Sequence, residues 1–182
     1  MQTTLKGVQN MAFAIMRLEK VKTISAMTNR QNHNTRKKGA TITDELPMKP
    51  TSLVEDKGIS YSEFFKEKTK GMKIRKDAVK GLECIMTFSP NGVRERDLLQ
   101  WSEDCKRWLF RTFGEDNIFS CQVHLSEKTP HIHALIIPIR DNKLNAKAIV
   151  GNKSNLSRLQ DDYAKCVQKY GLERGIDKKI TK

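Results

Sequence analysis

Four stretches of the chain have the length and the apolar pattern of β-strands. Residues 82–88 have an alternating pattern with a period of two, which is typical of a strand. This run ends at the turn sequence Ser-Pro-Asn-Gly. Residues 12–16 form a continuous apolar run, which is typical of a buried strand. Two further strands, residues 118–125 and 131–139, are separated by only five residues. This spacing predicts an antiparallel hairpin.

Three segments have the three- and four-residue spacing of amphipathic helices. Two of them are residues 60–70 and residues 154–170, and Gly171 would end the second one. The third is the clearest, and its apolar positions are Leu98, Trp101, Cys105, Trp108 and Leu109. Helices and strands interleave, with at least one hairpin. The pattern therefore predicts an α+β fold, an antiparallel sheet with helices packed mainly on one face.

The chain is predicted to contain one folded domain, residues 11–176. Residues 1–10 would be an N-terminal extension, and residues 177–182 a basic tail that leads to an absent C-terminal region. Between residues 20 and 57 the sequence turns polar and basic and carries two prolines. This composition predicts a long, irregular loop, and long loops in compact domains are commonly functional.

Charge gives the first indication of a partner. The 182 residues include 34 Lys+Arg and 21 Asp+Glu, a net charge of +13, which favours nucleic acid as the partner.

The sequence contains neither a membrane-spanning apolar run nor the apolar core of a signal peptide, so we expect a cytoplasmic protein with no membrane segment. The four cysteines form no CxxC pair and are interpreted as buried, reduced thiols.

The histidines carry the most specific chemical signal. His131 and His133 share one face of a predicted strand, because side chains alternate along a strand. If the turn is residues 126–129, His124 lies directly across from His131 and three imidazoles converge. Such a set leaves coordination positions open, as a catalytic metal site requires. Imidazoles suit zinc, iron, nickel and copper, and a nearby acid such as Glu127 would shift the preference towards harder ions such as manganese. The alternatives are that Glu127 orients a histidine without binding the ion, or that it is simply solvated.

The fourth histidine, His33, lies in the basic segment, within the sequence His-Asn-Thr-Arg. It is either an exposed loop residue or a group that attacks phosphorus, since imidazole can act as a nucleophile. Arg30 and Arg36 have the planar donors that suit phosphate oxygens. Glu83 is a candidate for orienting His33, although an ordinary exposed or paired glutamate is the alternative.

Together these motifs resemble a known family. His-Asn-x-Arg near the N-terminus, followed about ninety residues later by His-x-x-Glu-x-Thr-Pro-His-x-His, is similar to the Mob/Pre, or MobV-type, plasmid mobilisation relaxases of the HUH endonuclease superfamily. The resemblance covers most of the chain. It implies an HUH relaxase-like fold and an enzyme that nicks one DNA strand at a transfer origin, for plasmid or mobile-element mobilisation.

The resemblance also implies residue roles. His33 would be the nucleophile that becomes joined to DNA, and His124, His131 and His133 would hold a divalent ion, commonly Mn²⁺, with Mg²⁺ or Zn²⁺ as alternatives. Glu127 occupies the family's acidic position, while Ser126 stands where the family often has Asp. The predicted catalytic residues are His33, Arg36 and Glu127. The DNA contacts are predicted at Arg30, Arg36, Lys37 and Lys38.

The implied partner is transfer-origin DNA, single-stranded or in a hairpin. This fragment would be monomeric, whereas the full-length protein would use a C-terminal region for dimerisation.

Two other functions stay open. One is a replication-initiator or transposase type of HUH enzyme in which Tyr163 attacks; the other is a non-enzymatic basic DNA-binding module with a structural metal. A cupin-like metalloenzyme would need more strands and would not use the positive charge.

Overall fold

The computed structural model describes residues 11–37, 50–90, 92–125 and 127–175. The predicted extension, residues 1–10, and the predicted tail, residues 177–182, lie outside these ranges. The elements, in chain order, are β1 (Ala12–Val21), α1 (Ile24–Asn34), β2 (Thr51–Ser52), α2 (Tyr61–Lys68), β3 (Gly81–Phe88), α3 (Leu98–Phe113), β4 (Ile118–His124), β5 (His131–Ile136), β6 (Ile139–Arg140), β7 (Lys143–Leu144), α4 (Ala146–Val150), α5 (Lys153–Val167) and β8 (Leu172–Arg174).

A six-stranded sheet is the centre of the fold. Its strand order is β2-β4-β5-β3-β1-β8, and β6 pairs with β7 as a separate small hairpin. Within the six strands, neighbours pair antiparallel except for β1 and β8, which are parallel. The predicted α+β class with an antiparallel sheet is confirmed.

Helices cover both faces of this sheet, to different extents. The two longest, α3 and α5, pack on the first face, where their side chains form the larger core with the apolar residues of β1, β3, β4 and β5. The shorter α1 and α2 pack on the second face over a smaller apolar cluster. The prediction of helices mainly on one face thus describes the long pair and leaves out the short pair.

Part of the predicted loop over residues 20–57 is helical, since residues 24–34 form α1, while residues 38–49 lie outside the described ranges. Thr23 caps the N-terminus of α1 by accepting a hydrogen bond from the Ala26 amide, at 3.2 Å. Its buried residues are Met27, Gln31 and Asn34, at helical spacing but mostly polar. An amphipathic pattern therefore did not reveal a helix whose buried face is polar.

Gly81 lets α1 and α2 pack closely against β3. A Cβ atom at this position would lie 2.4 Å from Sδ of Met27 and 2.8 Å from the hydroxyl of Tyr61. That hydroxyl donates a hydrogen bond to the Lys80 carbonyl at 2.8 Å. Within the described ranges, none of the helices is long and apolar enough to cross a bilayer.

Candidate metal centre and nucleophile

The hairpin of β4 and β5 brings three histidines together. His124 pairs directly with His131, and Gln122 pairs with His133, so the predicted register is confirmed. The three ring centroids lie 4.9–5.1 Å apart. One potential ligand nitrogen from each residue lies within 4.8 Å of the others, which fits a single ion bound by three imidazoles. The turn residue Ser126 lies outside the described residues.

Burial keeps two of these imidazoles neutral. Only 1% of the His124 surface is exposed. Desolvation lowers the pKa of both His124 and His131, because a buried charge is disfavoured. A neutral imidazole offers the lone pair that a metal ligand needs.

The partner of each ring indicates which nitrogen would face an ion, because a carbonyl oxygen can only accept a hydrogen bond. His124 donates from Nε2 to the Asn34 carbonyl at 3.0 Å, which leaves Nδ1 with the lone pair. His131 donates from Nδ1 to the Thr129 carbonyl at 3.0 Å, which leaves Nε2. In His133, Nδ1 lies 2.9 Å from the Glu83 carboxylate, which again leaves Nε2.

Glu127 lies beside the nitrogens assigned as ligands. Its carboxylate oxygens are 3.1 Å from His124 Nδ1 and 3.5 Å from His131 Nε2. Burial opposes ionisation of Glu127, but the adjacent His124 ring and the Arg36 guanidinium lower its pKa. The carboxylate oxygens and the lone pairs of the two ring nitrogens repel each other. A cation between them would be attracted to both. This donor set therefore fits a divalent ion.

Glu83 links the metal centre to helix α1. Besides His133, its carboxylate accepts a hydrogen bond from Arg30 Nε at 2.6 Å and one from Asn34 Nδ2 at 3.4 Å. Burial alone would raise the pKa of Glu83, yet its hydrogen bonds with His133 and Arg30 hold it below the usual value. Glu83 is therefore a paired glutamate, one of the two interpretations that the sequence left open. The residues it contacts are His133 and two residues of α1, so the other interpretation, that it orients His33, is not supported.

His33 stands at the entrance to the site. It lies in the last turn of α1, not in a loop, and its side chain is exposed. Its ring centroid is 6.3 Å from that of His124 and 6.0 Å from that of His133. An imidazole at this distance leaves room for a phosphate group between itself and the three histidines.

The predicted basic residues have different surroundings. Arg36 follows α1 with a φ of +50°, and its guanidinium lies 3.7 Å from Glu127. Lys37 is exposed, and Lys38 lies outside the described residues. Arg30 forms ion pairs with Glu19 and Glu83. Its predicted contact with DNA stays a prediction.

Tyr163, the alternative nucleophile, belongs to the core on the opposite face of the sheet. It is 1% exposed, and its hydroxyl lies 3.8 Å from Cys105 Sγ. Burial raises the pKa of Tyr163 well above its ordinary value. A buried, neutral phenol has no access to DNA.

Sequence reasoning did not find Asn34 or the role of Glu83 in orienting His133. Both depend on a tertiary contact between α1 and the sheet. Glu83 did carry one signal, since it is an acidic residue on the polar side of a strand whose other side is apolar. Asn34 lies within the His-Asn-x-Arg motif.

Comparisons with known proteins identify a family and a related fold. The family model described as plasmid recombination enzyme, Mob_Pre, matches residues 10–182. A plasmid recombination enzyme type 3 from Staphylococcus aureus is 34% identical, over 94% of this chain and 45% of that protein. A plasmid recombination enzyme from Bacillus sp. is 32% identical, over 91% and 43%. The chain therefore spans less than half the length of these curated relatives.

A solved structure shares the fold. The MobM relaxase domain, of type MOBV, was crystallised with Mn and with a 22-nucleotide oriT DNA of plasmid pMV158. It superimposes with a TM-score of 0.77 at 28% identity, over 90% of this chain and 91% of that domain. The resemblance in the sequence is thereby confirmed, and the chain belongs to the Mob_Pre family of plasmid recombination enzymes.

Proposed function

We propose that the chain is a DNA relaxase domain that nicks one strand at a transfer origin and forms a covalent histidine–DNA intermediate for plasmid or mobile-element mobilisation. One observation carries this proposal: the His33 ring lies 6.0–6.3 Å, between centroids, from two of the three converging imidazoles, which leaves room for a phosphate group between them. The chain's net charge of +13 suits a DNA substrate. The related MobM domain binds oriT DNA with Mn.

The residues that would hold the metal are His124, His131 and His133, with Glu127 as a fourth ligand or as a carboxylate that orients His124. Three imidazoles and a nearby carboxylate suit Mn²⁺, and Mg²⁺ or Zn²⁺ are the alternatives. A bound divalent ion withdraws charge from the scissile phosphate.

His33 would attack the scissile phosphorus in line with the leaving oxygen. An N–P bond forms and the P–O3′ bond breaks, so the 5′-phosphate stays on the protein and a 3′-OH is released. The imidazole loses a proton as the N–P bond forms, and the 3′-oxygen takes up one. Arg36 lies beside Glu127 and would stabilise the negative charge on the phosphate oxygens.

Exposure of Lys37 fits a contact with the DNA backbone, and Lys38 would extend the same contact. We propose a second role for Arg30, namely to hold α1 against β3 through Glu83.

The substrate would be transfer-origin DNA, single-stranded or folded into a hairpin, and residues 11–176 would be the relaxase domain. We expect the reaction to take place in the cytoplasm, where plasmid DNA resides. The isolated domain would be monomeric and the full-length protein dimeric.

A supercoiled plasmid tests this proposal. It should carry the non-coding DNA that flanks the gene for this chain in its own element. In MnCl₂ the protein should convert this plasmid to the relaxed form, and primer extension should map a nick to one position on one strand. The parent plasmid without the insert is the control. Relaxation of both plasmids at scattered positions, or of neither, would contradict the proposal.

A further inference from the structure

The last residue of α1 is Asn34, which directly follows His33 in the chain. Asn34 is fully buried, with 0% of its surface exposed, whereas His33 is exposed. The proposed nucleophile is therefore attached to a buried residue whose partners belong to the sheet. Contacts of Asn34 fix the backbone that carries the His33 ring.

The backbone carbonyl of Asn34 contacts a proposed metal ligand. The last four carbonyl groups of a helix have no partner within the helix itself. In α1 the carbonyls of residues 31–33 accept the amides of residues 35–37, at 2.9–3.0 Å. The fourth, that of Asn34, accepts the Nε2–H of His124 at 3.0 Å. The negative end of the α1 dipole thus faces the metal centre, where it favours a cation.

The side chain of Asn34 makes a second connection to the metal centre. Its Nδ2 donates to Glu83 at 3.4 Å, and the same carboxylate oxygen lies 2.9 Å from His133 Nδ1. Among the described residues, no group donates to Oδ1 of Asn34. A buried amide oxygen without a partner lowers the stability of a fold, so packing alone would favour an apolar residue of similar size. An amide at this position points to a role other than packing.

These contacts depend on whether the histidines hold an ion. The Nε2–H of His124 becomes a better donor to the Asn34 carbonyl when an ion binds Nδ1, because the ion withdraws electron density from the ring. The same holds for the Nδ1–H of His133, which donates to Glu83. Coupling between two equilibria is reciprocal. Docking of the end of α1 therefore raises the affinity for the ion by the factor by which the ion stabilises the docked state.

We propose that Asn34 is a positioning residue that couples the metal centre to the nucleophile. Metal binding at the three histidines fixes the end of α1, and with it the His33 ring, against the sheet. The inference rests on the proposed relaxase function and adds a second consequence of metal binding to it, namely that the attacking group is held in place. Without the ion, the end of α1 opens more often and His33 faces the phosphate less often.

Hydrogen exchange of the wild type tests this coupling without any nicking. Saturating Mn²⁺ should slow the exchange of the amides of residues 35–37 by about 10-fold, within the usual range for coupled sites. Mass spectrometry of a peptide that contains these residues measures the exchange. His131→Ala, which removes one proposed ligand, should show no such protection at the same Mn²⁺ concentration.

Two variants of α1 test the role of the amide. Asn34→Leu replaces it with an apolar side chain of similar size, and Asn32→Leu, at a half-buried position on the same helix, is the matched control. In Asn34→Leu, Mn²⁺ affinity and the protection of residues 35–37 should fall by the same factor, about 3- to 10-fold, because both measure one coupling. Asn32→Leu should match the wild type in both measurements.

The nicking rate separates positioning from metal affinity and from packing. At saturating Mn²⁺, Asn34→Leu should still nick about 10-fold more slowly than the wild type, since the ion no longer fixes His33. Its melting temperature without metal should equal or exceed that of the wild type, because an unpaired buried oxygen is removed. Asn32→Leu should nick at the rate of the wild type.

Equal exchange of residues 35–37 with and without Mn²⁺ in the wild type would overturn the coupling. Full recovery of nicking by Asn34→Leu at saturating Mn²⁺ would overturn it as well. If Asn34→Leu shows no cooperative unfolding transition, Asn34→Ala replaces it with the same expected losses, and the exchange of the wild type decides independently. Failure of the wild type to nick, with the protection by Mn²⁺ intact, would overturn the proposed function and leave the coupling of α1 to the metal centre in place.

Discussion

The two faces of the six-stranded sheet differ in chemistry, although the same strands supply both. On β5, His131 and His133 point to the α1 side, while Ile132 and Ala134 point to the α3 and α5 side. On β3, Glu83 faces the metal centre, and its neighbour Cys84 is buried in the larger core.

The environment of each face decides what its ionisable groups can do. On the α3 and α5 face, burial raises the pKa of Cys84, Cys105 and Tyr163, so these groups stay neutral and unreactive. On the α1 face, burial lowers the pKa of His124 and His131, so these groups are neutral and able to bind a metal. Desolvation therefore leaves the groups of one face unreactive and gives the other face neutral imidazoles that suit a metal ion.

Removing the nucleophile should have the largest effect. We expect His33→Ala to reduce nicking by at least about 1,000-fold and to abolish the covalent adduct, while DNA binding is retained. Tyr163→Phe, on the opposite face, is the control and should nick within about twofold of the wild type. Denaturing gels with labelled oligonucleotide measure the adduct, which as a phosphoramidate should be labile in acid and stable in base. An acid-stable adduct that persists in His33→Ala would instead assign the chemistry to a tyrosine.

Two neighbouring residues of β5 test the metal centre directly. His131→Ala removes one of three ligands, and we expect the affinity for Mn²⁺ to fall by at least about 100-fold, with nicking lost at limiting metal. The control Ile132→Val points to the other face. It should leave Mn²⁺ affinity unchanged and lower the free energy of unfolding by about 1 kcal/mol. Titration calorimetry and urea unfolding provide the two measurements. Equal Mn²⁺ affinity in His131→Ala and the wild type would show that the imidazoles do not form the site.

Glu83 and Glu19 form a matched pair, since both contact Arg30. Glu83 is buried and also fixes the ring of His133, so Glu83→Gln should weaken Mn²⁺ binding by about 10- to 100-fold. Glu19 is exposed, and a surface ion pair contributes little, so Glu19→Gln should change Mn²⁺ affinity by less than about twofold. Nicking at saturating Mn²⁺ should recover in large part in Glu83→Gln. Similar losses in both variants would place the effect in Arg30 and not in His133.

Thiol modification should have no effect on nicking. Burial raises the pKa of Cys121 to about 12, so at pH 8 its thiolate fraction is about 1,000-fold or more below that of a free cysteine. Raising the pH from 7 to 8 should therefore not make this thiol measurably reactive in the folded protein. Cys166 is half-buried and should be the first cysteine to react with iodoacetamide. Mass spectrometry measures the labelling of each cysteine. Rapid labelling of Cys84, Cys105 and Cys121 with loss of activity would contradict the view of an inert face.

The hairpin and the helix α1 show what the sequence can and cannot reveal. The register of His124 with His131 was predictable, because alternation along two strands and the length of one turn determine it. Helix α1 was not, because its buried side chains Gln31 and Asn34 are polar. Gln31 forms hydrogen bonds with the backbone at the start of α2, and Asn34 forms one with the Glu83 carboxylate of β3. The positions of such groups depend on partners that are distant in sequence, such as Glu83.

The pairing of β4 with β5 also connects the stability of the fold to the supply of metal. One ion held by His124 and by the two histidines of β5 would join adjacent strands, and no such site exists in the unfolded chain. A ligand that binds only the folded state raises the free energy of unfolding by mass action, by about 2.7 kcal/mol at a free concentration 100 times the Kd. The melting temperature would then rise with Mn²⁺ concentration before any DNA is bound. In a cell short of manganese, such a protein would lose folded population as well as activity.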